Sequence, residues 1–387
     1  DATTLKTLST NNSDMITVKM AAASTAAADL NAIDLLTGMS INATVITELT
    51  GTSTAITTAL ASSGITTVTD HSLAVKVDSG TASVSEINTI NNDSATGEVT
   101  ATVISGAASV LKALTTTSTD AITMTVNAEA ASAATLAADL VSLNGNTNRV
   151  ITMTAVSSVI GSYADLLDVY VTNEAQYNGL GNEAVTITGS VTAVQADAIA
   201  DATSGVVIAT ITADTASALN AALVDAGGQI NAYNLTISAG SVEATDLTSL
   251  DSKTSVVVNA AAVTAITGSA VQIAAAYAAN PTTGITGLGN ESVTITGTTV
   301  ATLEELKAIN NATSGTITLN AESISADYSG VVSDVKAAFA GITTQTGKIV
   351  LTDVSVSVTD VNTVAGVTSG EVTATVISGA ASVLKAL

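Results

Sequence analysis

The 18 residues from Gly97 to Leu114, GEVTATVISGAASVLKAL, recur without a change from Gly370 to Leu387, an offset of 273. Chance does not produce a copy of that length, so the chain grew by duplication, and its fold must offer two distant segments equivalent surroundings. Weaker registers lie around this one. GLGNEAVTITG at Gly179 to Gly189 matches GLGNESVTITG at Gly287 to Gly297, offset by 108. LKTL at Leu5 to Leu8 matches LKAL at Leu111 to Leu114, and SDMITV and TDAITM follow at comparable positions. Glu86, Ile90, Asn91 and Asn92 match Glu305, Ile309, Asn310 and Asn311.

Beneath the long offsets the spacing predicts a short unit: a strand of about five residues, a polar turn, an amphipathic helix of about ten, and a Gly-ended turn. Period-two alternation marks strands at Ile122, Met124 and Val126, at Val185 and Ile187, at Leu235 and Ile237, at Val293 and Ile295, at Ile317 and Leu319, and at Ile349 and Leu351. Further strands are expected near Ile16, Ile41, Leu73, Val99, Val150, Val207, Val256 and Val372. Between strands the period becomes helical, as in Leu303, Leu306 and Ile309, in Val332, Val335, Phe339 and Ile342, and in Ala216, Leu219 and Leu223. Thr302 with Glu305 and Ser83 with Glu86 read as capping boxes, and Asp214 as a simple N-cap. Gly97, Gly205, Gly315, Gly347 and Gly370 are expected to leave the helices through the left-handed conformation. Asn91, Asn92, Asn310 and Asn311 are expected to close helix ends.

Strands recurring roughly every 25 residues with helices between them favour parallel pairing through right-handed crossovers, because a hairpin needs a link of only about two to five residues. The expected fold is an α/β, right-handed solenoid of strand-helix coils with one long parallel sheet, continuous over residues 1–387. An all-β solenoid is the alternative, and it requires Ala-rich runs such as Ala131 to Leu140 to be strands against their propensity. The lone proline, Pro281, falls in Asn280 to Gly287, a stretch without either period that reads as a projecting loop.

Composition narrows function. Hydrophobic residues are 47% of the chain but aromatics only 2%, so cores must be thin layers of Ala, Val, Ile and Leu, and an aromatic-lined pocket is disfavoured. With 33 acidic against 10 basic residues and a net charge of -23, the chain lacks the clustered Lys and Arg that nucleic acid binding needs. No cysteine is present, which excludes disulfides and thiolate metal sites. No apolar run of about 18 residues suggests a transmembrane segment, and Asp1 opens no charged leader, so the sequence reads as mature or as an excerpt.

Catalytic, cofactor-binding and metal residues are all assigned as none. The single histidine, His71 beside Asp70, reads as an exposed turn residue. The two GLGNE segments mimic a dinucleotide fingerprint, yet they precede strands where the fingerprint must follow one and open a helix. Calcium is weighed at Asn182, Glu183, Asn290 and Glu291, but neither an EF-hand loop nor a nonapeptide repeat accompanies them. Thr-x-Thr strands at Thr186 to Thr188 and Thr294 to Thr296 read as β-propensity on an exposed face, in preference to an ice-binding array. The sequons at Asn42 and Asn234 are expected by chance in so Thr-rich a chain.

The recurring Thr/Val strand, Ala/Asp/Leu helix and A-T-S-G before the next strand resembles the repetitive regions of very large cell-surface proteins of cyanobacteria and other bacteria. That resemblance implies an extracellular or cell-surface location and carries over no catalytic residue. The expected function is a structural fibre, stalk or sheath component. Leu5 to Leu8 and Leu384 to Leu387 both fall within coils, so the expectation is either an excerpt of a much longer repeat array or copies that stack head to tail. The alternative is an adhesin gripping polysaccharide or another surface through the two longest excursions, Gly161 to Asn182 and Ala276 to Asn290. A polysaccharide-acting enzyme is a third reading, and it lacks the clustered charged groups such an enzyme needs.

Overall fold

The computed structural model describes residues 1–78, 80–130, 133–224, 230–279, 284–376 and 385. Pro281, Ala131, and the second copy of the 18-residue duplication beyond Val376, apart from Lys385, lie outside the described residues. The chain forms two compact units, residues 1–188 with 202–205, and residues 189–201 with 206–387.

Each unit repeats one motif, a short strand, a turn, a second strand and a helix. In the first unit Ile41–Asn42, Glu48–Gly51 and the helix Ser53–Ala61 are followed by Ile65–Thr66, Leu73–Val77 and the helix Val84–Asn91. In the second, Val258–Asn259, Val263–Gly268 and Ala270–Ala278 are followed by Ile285–Thr286, Ser292–Ile295 and Leu303–Ala312. Corresponding strands pair in parallel, Ile41 opposite Ile65, Leu49 opposite Val75, Val258 opposite Ile285 and Ile266 opposite Val293. The separation across a pair runs from that of Gly106 and Val126 to that of Val258 and Ile285. A crossover helix fits within such a span and a hairpin would not need it.

Every strand pairing among the described residues is parallel, and the class is α/β. The single long sheet is corrected to several separate parallel sheets, because each repeat contributes strands to two different ladders. In the first unit Ser24–Ala26, Glu48–Gly51, Leu73–Val77, Thr96–Thr102 and Ala121–Thr123 form one sheet, while Gly106–Ala107, Thr125–Asn127, Ile151–Met153 and Tyr177–Asn178 form another. Gly240–Glu243, Val263–Gly268, Ser292–Ile295 and Ile317–Thr318 form a sheet of the second unit. Of the strands just before helices, Leu73–Val77, Thr96–Thr102, Ala184–Val191, Val207–Ile211 and Ser292–Ile295 fall where strands were expected, whereas short ones such as Ser24–Ala26, Glu48–Gly51 and Gly240–Glu243 were not expected. The helix Ala137–Gly145, with Leu140 and Leu143 fully buried, removes the all-β alternative.

The cores are thin, as the scarcity of aromatics requires. Helices give one or two aliphatic side chains per turn, such as Leu30 and Ile33, Ile87 and Ile90, Leu247 and Leu250, or Leu306 and Ile309, all fully buried. Strands answer with Leu49, Val75, Val99, Ile266 and Val293. Each such leucine or isoleucine is worth about 1.5–3 kcal/mol of burial, but its layer closes only when a neighbouring repeat covers it. Phe339 meets Tyr328 edge to face with ring centroids 5.1 Å apart, anchoring the turn after helix Val332–Ala338.

Capping follows the sequence in part. Both expected capping boxes form, and Thr192 with Gln195 and Ser269 with Gln272 form two more. The helix Ala216–Ala222 is capped by Thr215, whose hydroxyl accepts the Ala218 N–H; Asp214 instead accepts the N–H of Thr215. The glycine expectation is corrected more deeply. Gly97, Gly205, Gly315, Gly347 and Gly370 do not have positive φ. They are required because another backbone lies against them: a Cβ would stand 2.0 Å from the Glu183 carbonyl oxygen at Gly205, 2.0 Å from that of Glu291 at Gly315 and 2.5 Å from that of His71 at Gly97.

Candidate functional site

The most repeated chemical arrangement is a buried threonine at the exit of a helix. Thr37, Thr147, Thr203, Thr254, Thr313 and Thr368 are each less than a tenth exposed. Their hydroxyls donate to the carbonyls of Ile16, Ile122, Glu183, Tyr233, Glu291 and Gly347, one repeat earlier, at 2.7 to 2.9 Å. Each also accepts the N–H two residues ahead, from Met39, Arg149, Gly205, Val256, Gly315 and Gly370. A hydroxyl can donate once and accept twice, so one side chain ties two repeats together while fixing its own turn.

The scarce lysines do the same work on the helix side. Lys6 reaches Asp29 at 2.5 Å, Lys112 reaches Asp139 at 2.8 Å and Lys336 reaches Asp360 at 2.8 Å; Lys307 pairs with Asp334. Each aspartate stands in the first turn of a later helix, where the helix dipole favours negative charge. Asparagines add to the row. Asn31 donates to the Ala55 carbonyl at 2.9 Å, Asn91 to that of Thr115 at 2.9 Å and Asn310 to those of Ala338 and Ala340 at 3.1 and 2.8 Å. Asn92 is the C-cap of the helix Val84–Asn91, as expected of it, whereas the Asn91 and Asn310 side chains reach carbonyls of a later repeat and do not close their own helix ends.

The GLGNE segments build two matching buried stations. Glu183 and Glu291 are 1% and 0% exposed. At the first, Glu183 Oε2 accepts the Tyr170 hydroxyl at 3.1 Å and the Gly181 N–H at 2.8 Å. At the second, Glu291 Oε2 accepts the Tyr277 hydroxyl at 3.0 Å, and both carboxylate oxygens accept the Gly289 N–H, at 2.8 and 2.9 Å. Burial, with the adjacent glutamate, pushes the Tyr170 and Tyr277 hydroxyls well above the ordinary tyrosine range. The stations differ in one respect: Glu183 Oε1 is buried with no donor among the described residues, whereas both oxygens of Glu291 are engaged. The tyrosines were not found by sequence reading. The available signal was a tyrosine upstream of each GLGNE, at Tyr170 and at Tyr277.

A cleft of about 320 Å³ adjoins the first station, lined by Val169, Tyr170, Tyr177, Leu180, Gly181 and Ala202 among others. Its wall is unusual for this chain, because a π-helix over Asp168–Thr172 interrupts the regular repeat there. The expected excursion at Gly161 to Asn182 is thus not a projecting loop but holds the helix Tyr163–Leu167, this π-helix and the strand Tyr177–Asn178. Of the second excursion, the part at 280–283 lies outside the described residues.

His71 is exposed, has φ of 56° and bonds the Thr96 carbonyl through Nδ1 at 3.1 Å. The neighbouring Asp70 accepts the Ser72 N–H and hydroxyl, at 3.2 and 2.5 Å, within the same turn. At the positions weighed for calcium, Asn182 and Asn290 are exposed while the Glu183 and Glu291 carboxylates turn inward to Tyr and Gly donors. Among the described residues no three acidic or histidine side chains gather as metal ligands, and no helix is long and apolar enough to cross a membrane. No protein-family model matches the chain, and no curated protein and no solved structure is similar to it.

Proposed function

We propose that the chain is a structural element of an extracellular or cell-surface fibre, stalk or sheath. In this reading it is a right-handed α/β solenoid whose repeats stack lengthwise and whose copies associate end to end. The observation that carries it is the threonine clasp. Six buried hydroxyls each bond the main chain of the preceding repeat, and the lysine–aspartate and asparagine bonds likewise run between neighbouring repeats. Ties of this kind reward adding a repeat and supply no closed centre around which a site for chemistry would form. The acidic surface, from a net charge of -23, keeps the sides of such molecules apart and leaves sheet edges for association. Small-angle scattering and negative-stain electron microscopy test the reading: rods and end-to-end filaments are expected, and a compact, near-spherical particle would end it.

The cleft at Tyr170 and Tyr177 favours a second reading, an adhesin in which that cleft holds a glycan unit or another small polar ligand. Its size falls in the range of small-molecule sites, roughly 300–1,000 Å³. Binding to a glycan array that is abolished by filling the cleft with Ala202→Phe would support it. An array without signal would remove it.

A further inference from the structure

Aromatic side chains are scarce in this chain, which has six tyrosines, one phenylalanine and no tryptophan, yet three of the tyrosines fall close together at Tyr163, Tyr170 and Tyr177. Two of them, Tyr170 and Tyr177, wall the cleft of about 320 Å³ in the first unit. Both are buried, and both hydroxyls are engaged as donors, Tyr170 to Glu183 Oε2 at 3.1 Å and Tyr177 to the Leu140 carbonyl at 3.1 Å. What they can still offer a ligand is a ring face or an oxygen lone pair, and each attracts positive charge.

Carboxylates add to that field. Glu174 lines the cleft, is exposed, and has no hydrogen bond or ion pair among the described residues. Asp168 opens the π-helix that carries Val169 and Tyr170, and it accepts the Asn173 side-chain amide. Burial, with the Asp168 charge, pushes the Tyr177 hydroxyl well above the ordinary tyrosine range. Behind the wall, Glu183 is 1% exposed and joins two cleft residues, Tyr170 and Gly181, through Oε2, while its Oε1 has no donor among the described residues. None of the described lining residues is basic. On the neighbouring strand Arg149 stands two residues before Ile151, the partner of Tyr177, and it makes no ion pair among the described residues.

A cleft lined by one sign of charge concentrates ligands of the opposite sign. The rest of the wall is aliphatic, with Val169, Leu180 and Ala202, so the cation that fits it carries an apolar stem. We propose that the cleft binds a primary alkylammonium group, its charge between the Tyr170 and Tyr177 rings and the Glu174 carboxylate, its methylenes along Val169, Leu180 and Ala202. Glu183, whose carboxylate is sealed from solvent, contributes fixed charge from behind. A neutral glycan hydroxyl would also find acceptors here, but it gains nothing from the charge of the wall. The proposal rests on the reading of this cleft as a ligand site and names the chemistry of the ligand.

Calorimetric titration of the full chain with pentylammonium, pentanol and pentanoate separates charge from shape. Expected are binding of pentylammonium about tenfold tighter than that of pentanol, the scale of a partly desolvated cation–π contact, no binding of pentanoate, and weakening by added salt. Glu174→Gln should lower the affinity about threefold, in keeping with an exposed charge. Ala175→Lys, at an exposed position of the wall, supplies a resident ammonium and should abolish binding while the urea midpoint stays unchanged. Nα-acetyl-lysine methylamide distinguishes the source of the ammonium: affinity matching that of pentylammonium identifies a lysine side chain, and loss of binding identifies a free amine, either of which supports the site. Equal affinity for pentylammonium and pentanol, or binding that survives Ala175→Lys, overturns it. Glycan binding that Ala202→Phe abolishes, in a chain that does not bind pentylammonium, overturns the cation assignment and leaves the adhesin reading standing. With neither ligand bound, both fall.

Discussion

The hydroxyl of Thr313 donates to the Glu291 carbonyl at 2.7 Å and accepts the Gly315 N–H at 2.9 Å, so one buried side chain joins two repeats and shapes the turn between helix and strand. Thr313→Val keeps the shape and removes both bonds, leaving a carbonyl and an N–H without this partner in the interior. The expected loss is about 1–3 kcal/mol, measured as a lower urea midpoint with unchanged slope. Thr313→Ser keeps the hydroxyl and should lose less. Equal losses for Val and Ser would show that the methyl, and not the clasp, matters.

The glycine beside this clasp makes a second prediction. A Cβ on Gly315 would lie 2.0 Å from the Glu291 carbonyl oxygen and 2.4 Å from its carbon, so two main chains must separate to admit it. Gly315→Ala should cost about 1–3 kcal/mol as an overpacking change. Gly145, the last residue of the helix Ala137–Gly145, has nothing within 4 Å of a built Cβ and no positive φ. Gly145→Ala should therefore be neutral or stabilising by about 0.4–1 kcal/mol. Thermal or urea unfolding of the two variants side by side checks the contrast.

These two residues also show how far the sequence could be read. Helices such as Leu303–Ala312 were legible because Leu306 and Ile309 recur at helical spacing behind a capping box, all of it local. The repeated Thr-Ser-Gly was visible too, but its reason was not, since the carbonyl that excludes a Cβ at Gly315 belongs to a residue of the preceding repeat. Strands such as Ser24–Ala26 carry a single buried residue and no alternation to count. The Tyr170–Glu183 station escaped for a similar reason. Its glutamate lay in a repeated motif, but its tyrosine stands on a π-helix, outside either period, and only the fold brings the two together.

Acid should expose the capping boxes. The hydroxyl of Ser53, from the preceding helix, donates to Glu86 at 2.6 Å, and the Ser83 N–H and hydroxyl donate at 2.8 and 2.7 Å. These bonds, that of Ser53 foremost, hold the Glu86 carboxyl below its ordinary range. A carboxyl depressed in the folded state binds fewer protons there than in the unfolded chain. Its stabilisation is therefore present above the unfolded value, about 4.3 for glutamate, and is lost as pH falls through the folded one. Glu86→Gln should be less stable than the parent at neutral pH, and the gap should close on acidification. Urea midpoints from pH 7 downward measure it, and a gap that persists in acid contradicts the assignment.

Alkali should act through the tyrosines, with the two stations responding unequally. Burial and the adjacent glutamates raise the Tyr170 and Tyr277 hydroxyls in the folded state, so the native chain holds these protons more tightly than the unfolded chain. Their contribution is complete below the unfolded value, about 10, and is lost as pH rises beyond it; the tyrosinate absorbance of these two residues should appear together with unfolding. Tyr277→Phe leaves both Glu291 oxygens bonded to the Gly289 N–H, and should cost about 1.5–3 kcal/mol at neutral pH, the scale of a hydrogen bond to a charged group. Tyr170→Phe leaves Glu183 with the Gly181 N–H on Oε2 and no described donor on Oε1. Its loss should be the larger, and Glu183→Gln, which removes the buried charge, should recover part of it in the double variant. If Tyr170→Phe proves the milder change, Glu183 has a donor that the station's geometry does not account for.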